Sequence, residues 1–122
     1  MPKYIARVEL HNVTNPFTYA YTLLHANMSD IGFNRTITAD DGKSYHLPPG
    51  EYCGTSTDSL LNVRDRVFQV ARNTGYNASV LVTQYEICAW AGLKEVDSTL
   101  NFLAYLAKPT LSLNPFSPYP KN

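Results

Sequence analysis

Tyr4-Ile5-Ala6-Arg7-Val8-Glu9-Leu10 sets the fold class. Tyr4, Ala6, Val8 and Leu10 fall on one side and Ile5, Arg7 and Glu9 on the other, the period of two that marks a strand with one buried face. The period then changes. Asn15-Pro16 reads as an N-cap with proline at the first helical position, and Phe17, Ala20, Tyr21, Leu24, Met28 and Ile31 recur at helical spacing until Gly32 supplies a left-handed stop.

Working outward, Phe33 to Ala39, with Thr36, Ile37 and Thr38, is expected as a second strand ended by the turn Asp40-Asp41-Gly42. Residues 43–50 continue the connection, because Pro48 and Pro49 have no N–H for a ladder. A third strand is expected from Glu51 to Ser56. Thr57 or Asp58 then caps a helix whose buried stripe is Leu60, Val63, Val67, Val70 and Ala71, with Gly75 at its end. Ala78 to Thr83 is the fourth strand, and Ile87 to Trp90 either extends it or pairs with it after a bend.

The order β-α-β-β-α-β predicts an α+β fold, the ferredoxin-like split βαβ, with an antiparallel sheet carrying both helices on one face. Beyond Gly92, Asp97 or Ser98 caps an expected short third helix with Leu100, Leu103 and Leu106 inward and Pro109 after it. Four of the eight prolines lie in residues 108–122, which read as a proline-rich tail. At 122 residues and 44% hydrophobic, the chain is expected to form one domain over residues 1–107.

Ten Lys and Arg balance ten Asp and Glu, so no bulk field attracts nucleic acid and any such binding is local. Cys53 and Cys88 belong to no ligand cluster and are expected reduced and mostly buried. The start lacks the apolar run of a signal peptide, and no segment approaches the roughly 18 apolar residues of a membrane span. The expectation is a cytoplasmic protein without membrane association. No Ser/His/Asp order, phosphate-binding glycine loop, HExxH or EF-hand pattern is present, and no metal or other cofactor is expected.

The stretches Tyr4 to Leu10, Leu24-His25-Ala26-Asn27-Met28 leading to Gly32-Phe33, Arg35-Thr36-Ile37 with Asp40-Asp41-Gly42, and Tyr45-His46-Leu47-Pro48 before Glu51-Tyr52 together resemble the GhoS-like antitoxins of type V toxin-antitoxin systems. The likeness covers roughly residues 3–93. It implies a ferredoxin-like scaffold similar to the CRISPR-associated Cas2 proteins, and an endoribonuclease that cuts single-stranded messenger RNA encoding a membrane-active toxin. The family carries an important arginine on its first helix; the corresponding turn here holds His25.

Metal-independent RNA cleavage needs a base at the 2′-hydroxyl, an acid at the leaving oxygen and a cation for the phosphorane charge. Arg35, His46 and His25 are the catalytic candidates. His46 lies in the loop after the acidic turn, where a solvent-facing imidazole titrates near neutrality; the bland reading is a surface or turn-capping histidine. His25 borders the first helix's apolar stripe, and its structural reading is a bond to a neighbouring backbone carbonyl. Arg35 shares a strand side with Ile37, an unusual place for a guanidinium unless it reaches a carboxylate, a phosphate or the sheet edge. A bridge to Asp40 or Asp41 is the structural expectation there, while the two aspartates serve their turn.

Arg7, Arg64, Arg66 and Tyr45 are the RNA-binding candidates. An RNA-recognition sheet is excluded, because Glu51-Tyr52-Cys53-Gly54 lacks the basic-Gly-aromatic run. The competing reading is a non-enzymatic adaptor, encoded by a mobile element, that offers a sheet edge or open face to a protein partner or to another copy of itself as a homodimer.

Overall fold

The computed structural model describes residues 1–97. Its elements are β1 (Lys3–Leu10), α1 (Tyr19–Asp30), β2 (Phe33–Asn34), β3 (Thr36–Thr38), β4 (Ser44–His46), β5 (Glu51–Thr55), α2 (Leu60–Arg72) and β6 (Ala78–Tyr85). β1 pairs with β5 on one side and β6 on the other, and β2 pairs with β5, giving an antiparallel four-stranded sheet in the order β2-β5-β1-β6. β3 and β4 form a separate hairpin. Among the described residues, no helix is long and apolar enough to cross a membrane.

The alternation in β1 is realised directly: Tyr4, Ala6, Val8 and Leu10 are buried in one core with Leu24 and Met28 of α1 and Val63 and Val67 of α2. Both helices therefore lie on the same face of the sheet. Tyr52 of β5, fully buried, joins this core, and the Tyr4 hydroxyl donates to the Asp58 carbonyl at 2.8 Å. Gly54 lets β5 approach the Gly32-Phe33 corner, since a Cβ there would lie 2.6 Å from the Gly32 carbonyl oxygen.

Several boundaries differ from the sequence reading, each for a local reason. Asn15 makes an Asx turn, accepting the Phe17 N–H at 2.9 Å, so Pro16 and Phe17 precede the helix; Thr18 is its N-cap and Phe17 is exposed. The second strand breaks at Arg35: Phe33–Asn34 stays on the main sheet, and Thr36–Thr38 leaves it to pair with β4. Residues 44–46 are thus a strand instead of plain connection. Asp40-Asp41-Gly42 is the hairpin turn as expected, with Asp41 accepting the Lys43 N–H at 2.9 Å.

Ser59, instead of Thr57 or Asp58, caps α2 by accepting the Asn62 N–H, and Leu60 lies outside the buried stripe. The fourth strand runs on to Tyr85. Ile87 to Trp90 does not extend it. Residues 94–96 instead flank β4, where His46 N–H donates to the Lys94 carbonyl and Val96 N–H to that of Ser44, both at 2.8 Å. The expected third helix beyond its cap and the proline-rich tail lie outside the described residues.

Cys53 and Cys88 are both free thiols, but the expected burial fails: Cys53 is half-buried beside the Tyr85 hydroxyl at 3.2 Å, and Cys88 is exposed. Cys88 lies past the end of β6, in residues that belong to neither helix nor strand. In native thiol titration Cys88 is expected to react at once and Cys53 more slowly. Equal rates would contradict this placement.

Candidate functional site

His25, Arg35 and His46 come from α1, from the break between β2 and β3, and from the end of β4, and all three line one recess of about 230 Å³. Pro16, Phe17, Leu47, Pro48 and Pro49 also line it, and among the described residues none of the lining is a carboxylate. Local backbone chemistry builds the site. The Leu47 N–H donates to the Arg35 carbonyl at 2.8 Å, tying the end of the hairpin to its start. Pro48-Pro49-Gly50-Glu51 closes a turn through Glu51 N–H to the Pro48 carbonyl, with Gly50 at φ 84°, where proline is preset for the second position and glycine for the third. Gly50 also has no room for a Cβ, which would meet the Val8 carbonyl oxygen at 2.8 Å.

Arg35 is exposed and reaches no carboxylate within ion-pair distance among the described residues, so the expected bridge to Asp40 or Asp41 is not made. Its charge remains available to a ligand, and it acts on its neighbours His25 and Tyr52.

His25 Nδ1 lies 2.7 Å from the Tyr52 hydroxyl, in place of the expected backbone carbonyl. That contact assigns the tautomer. Tyr52 is fully buried, and burial pushes its phenol well above the usual range, so the hydroxyl keeps its proton and must donate it. Among the described residues His25 Nδ1 is its one acceptor, which leaves Nε2–H as a donor on the other edge of the ring. Burial first, and the Arg35 guanidinium second, lower the His25 pKa from 6.5 to about 4. His25 is therefore a neutral hydrogen-bond donor at physiological pH.

A stability consequence follows from that lowered pKa. Between about 4 and 6.5 the unfolded chain binds the proton and the folded chain does not, so stability is complete above 6.5 and falls as the pH drops toward 4. The expected loss is roughly 1 to 2 kcal/mol, after allowing for solvent screening of a half-buried ring. His25→Asn keeps an acceptor for Tyr52 without the titration. Urea midpoints at pH 7.5 and 4.5 should converge less in the wild type than in this variant; equal acid loss in both chains would assign the effect to other groups.

His46 is exposed, faces Thr36 across the hairpin, and is held through its backbone by Lys94. Its imidazole lines the recess with that of His25 and the guanidinium of Arg35. Tyr45, one residue earlier, points to the other side of β4 by strand alternation, where its ring meets Trp90 at 5.6 Å.

The remaining candidates scatter. Arg7 lies on the side of β1 away from the helices and lines an adjoining groove that shares Pro16 and Pro49 with the recess. Arg64 pairs with Asp65 at 2.7 Å and Arg66 with Asp58, both on α2 or its approach, and neither lines the recess. Tyr52 was missed as a site residue, because its tie to His25 spans 27 residues and no local pattern announces it. No protein-family model matches the chain, and no curated protein matches it.

Proposed function

We propose that the chain is a GhoS-like antitoxin endoribonuclease that binds single-stranded toxin messenger RNA at the His25–Arg35–His46 recess and cleaves it without a metal. One observation carries the reading: among the described residues, a guanidinium with no carboxylate partner and two imidazoles meet in a recess whose lining holds no acidic side chain. An anion is the ligand that such a lining complements.

In this mechanism Arg35 holds the phosphodiester and offsets the charge that grows on it in the phosphorane. Neutral His25 donates Nε2–H to a phosphate oxygen, its orientation fixed by Tyr52. His46 takes the proton from the 2′-hydroxyl as that oxygen bonds to phosphorus, and passes it to the leaving 5′-oxygen as its bond to phosphorus breaks. Phe17, exposed on the rim, offers a face on which a base stacks, and Arg7 in the adjoining groove meets a neighbouring phosphate. Arg64 and Arg66 have no part in it.

The fold reading within this proposal is the ferredoxin-like split βαβ. The sheet order β2-β5-β1-β6, with α1 and α2 as the two crossovers on one face, supports it, and the β3–β4 hairpin is then an insertion that carries His46. The test is cleavage of a single-stranded oligoribonucleotide by the full chain in EDTA across a salt series. Cleavage that survives EDTA and weakens with salt is expected. Activity abolished by EDTA, or no RNA binding at low salt, overturns the proposal.

A further inference from the structure

The two edges of the sheet are unlike. β2, at one end, is only two residues long, whereas β6, at the other, runs for eight residues and, among the described residues, pairs on one side only, with β1. Exposed edge strands are ordinarily guarded by charged residues or proline, because their free N–H and C=O groups template pairing with another chain. Ala78-Ser79-Val80-Leu81-Val82-Thr83-Gln84-Tyr85 contains neither.

The register of that free edge follows from two bonds. His11 N–H donates to the Asn77 carbonyl and Val8 N–H to the Gly50 carbonyl, both at 2.8 Å. Alternation then points the backbone groups of Ser79, Leu81, Thr83 and Tyr85 toward β1, and those of Ala78, Val80, Val82 and Gln84 out from the sheet. An antiparallel copy of the same strand uses all four outward residues in one register alone: Ala78 opposite Gln84 of the second copy, and Val80 opposite Val82. The two-fold axis then passes through Leu81. This residue is 65% exposed, on the face of the sheet away from the helices.

We propose that a second copy of this chain pairs with β6 about a two-fold axis at Leu81, joining the two four-stranded sheets into one. At that axis the two Leu81 side chains face each other across a non-hydrogen-bonded pair, the closer of the two antiparallel spacings, and cover one another. Ser79 meets Thr83 of the second copy, hydroxyl to hydroxyl. No charge lies anywhere along the strand, so the self-pairing sets no like charges together.

Sedimentation velocity of the full chain from low to high micromolar concentration tests this. The wild type is expected to dimerise, and Leu81→Lys, which sets two ammonium groups on the axis, to raise the dissociation constant by at least about tenfold with an unchanged far-UV CD spectrum. Leu81→Cys in a Cys88→Ser background supplies the independent check: oxidised glutathione should link it into a covalent dimer, because the axial pair lies within disulfide reach. A wild type that stays monomeric, a Leu81→Lys chain that dimerises as before, or a dimer that Leu81→Cys fails to cross-link overturns the proposal.

Discussion

His46→Ala is expected to slow cleavage of single-stranded RNA by about 10²- to 10⁴-fold, the usual cost of a lost general acid or base, while leaving thermal melting almost unchanged. The separation is possible because His46 is held in place by its backbone bond to Lys94 and not by its ring. Arg35→Ala is expected to cost about 10²- to 10³-fold through the loss of phosphorane stabilisation, again with little effect on melting, since Arg35 makes no ion pair among the described residues. Single-turnover rates and melting curves, measured on the same preparations in EDTA, check both. The pH profile adds a discriminating detail. With its pKa lowered to about 4, His25 should impose no inflection on the rate through the neutral range. Unchanged rates in both variants would remove this recess from the chemistry; a large loss of melting cooperativity in Arg35→Ala would make that residue structural.

The largest effect on stability is expected at Tyr52. Tyr52→Ala empties a fully buried aromatic site in the middle of the core and leaves His25 Nδ1 without its donor, at a cost of about 3 to 5 kcal/mol. Against a typical stability of roughly 5 to 15 kcal/mol, that brings the chain close to unfolding. Tyr52→Phe keeps the ring and loses only the hydroxyl, so about 1 to 2 kcal/mol is expected. It should also free the His25 tautomer, which NMR of the ring nitrogens detects directly. If both substitutions cost the same, the cost resides in the hydrogen bond and the core assignment of the ring is wrong.

Where the sequence and the structure agree, a periodic pattern had one physical explanation. Tyr4 to Leu10 alternates because one face of β1 is buried, and Val63, Val67, Val70 and Ala71 recur because one stripe of α2 meets that face. Where they differ, a contact that the periodic pattern does not register prevailed. Asn15 bonds Phe17 and postpones α1 by a turn. Arg35 interrupts what reads as a continuous strand, and Ser44-Tyr45-His46 becomes a strand only because β3 and residues 94–96 flank it.

The candidate site was legible as residue types and not as partners. His25, Arg35 and His46 stand out as the side chains able to handle a phosphodiester, and they line one recess. Nothing local showed that Tyr52 fixes His25 as a donor, or that Arg64 and Arg66 are taken up by Asp65 and Asp58, because those roles depend on contacts made only in the folded chain.

The most direct measurement is amide chemical-shift mapping with a single-stranded oligoribonucleotide made uncleavable by 2′-methoxy groups. Shifts gathered at Phe17, His25, Arg35, His46 and Leu47, with weaker ones at Arg7 and none at Arg64 or Arg66, are the expected result. Shifts centred on α2, or on the strand residues Leu81 and Thr83, or none at low salt, would contradict RNA recognition at this recess.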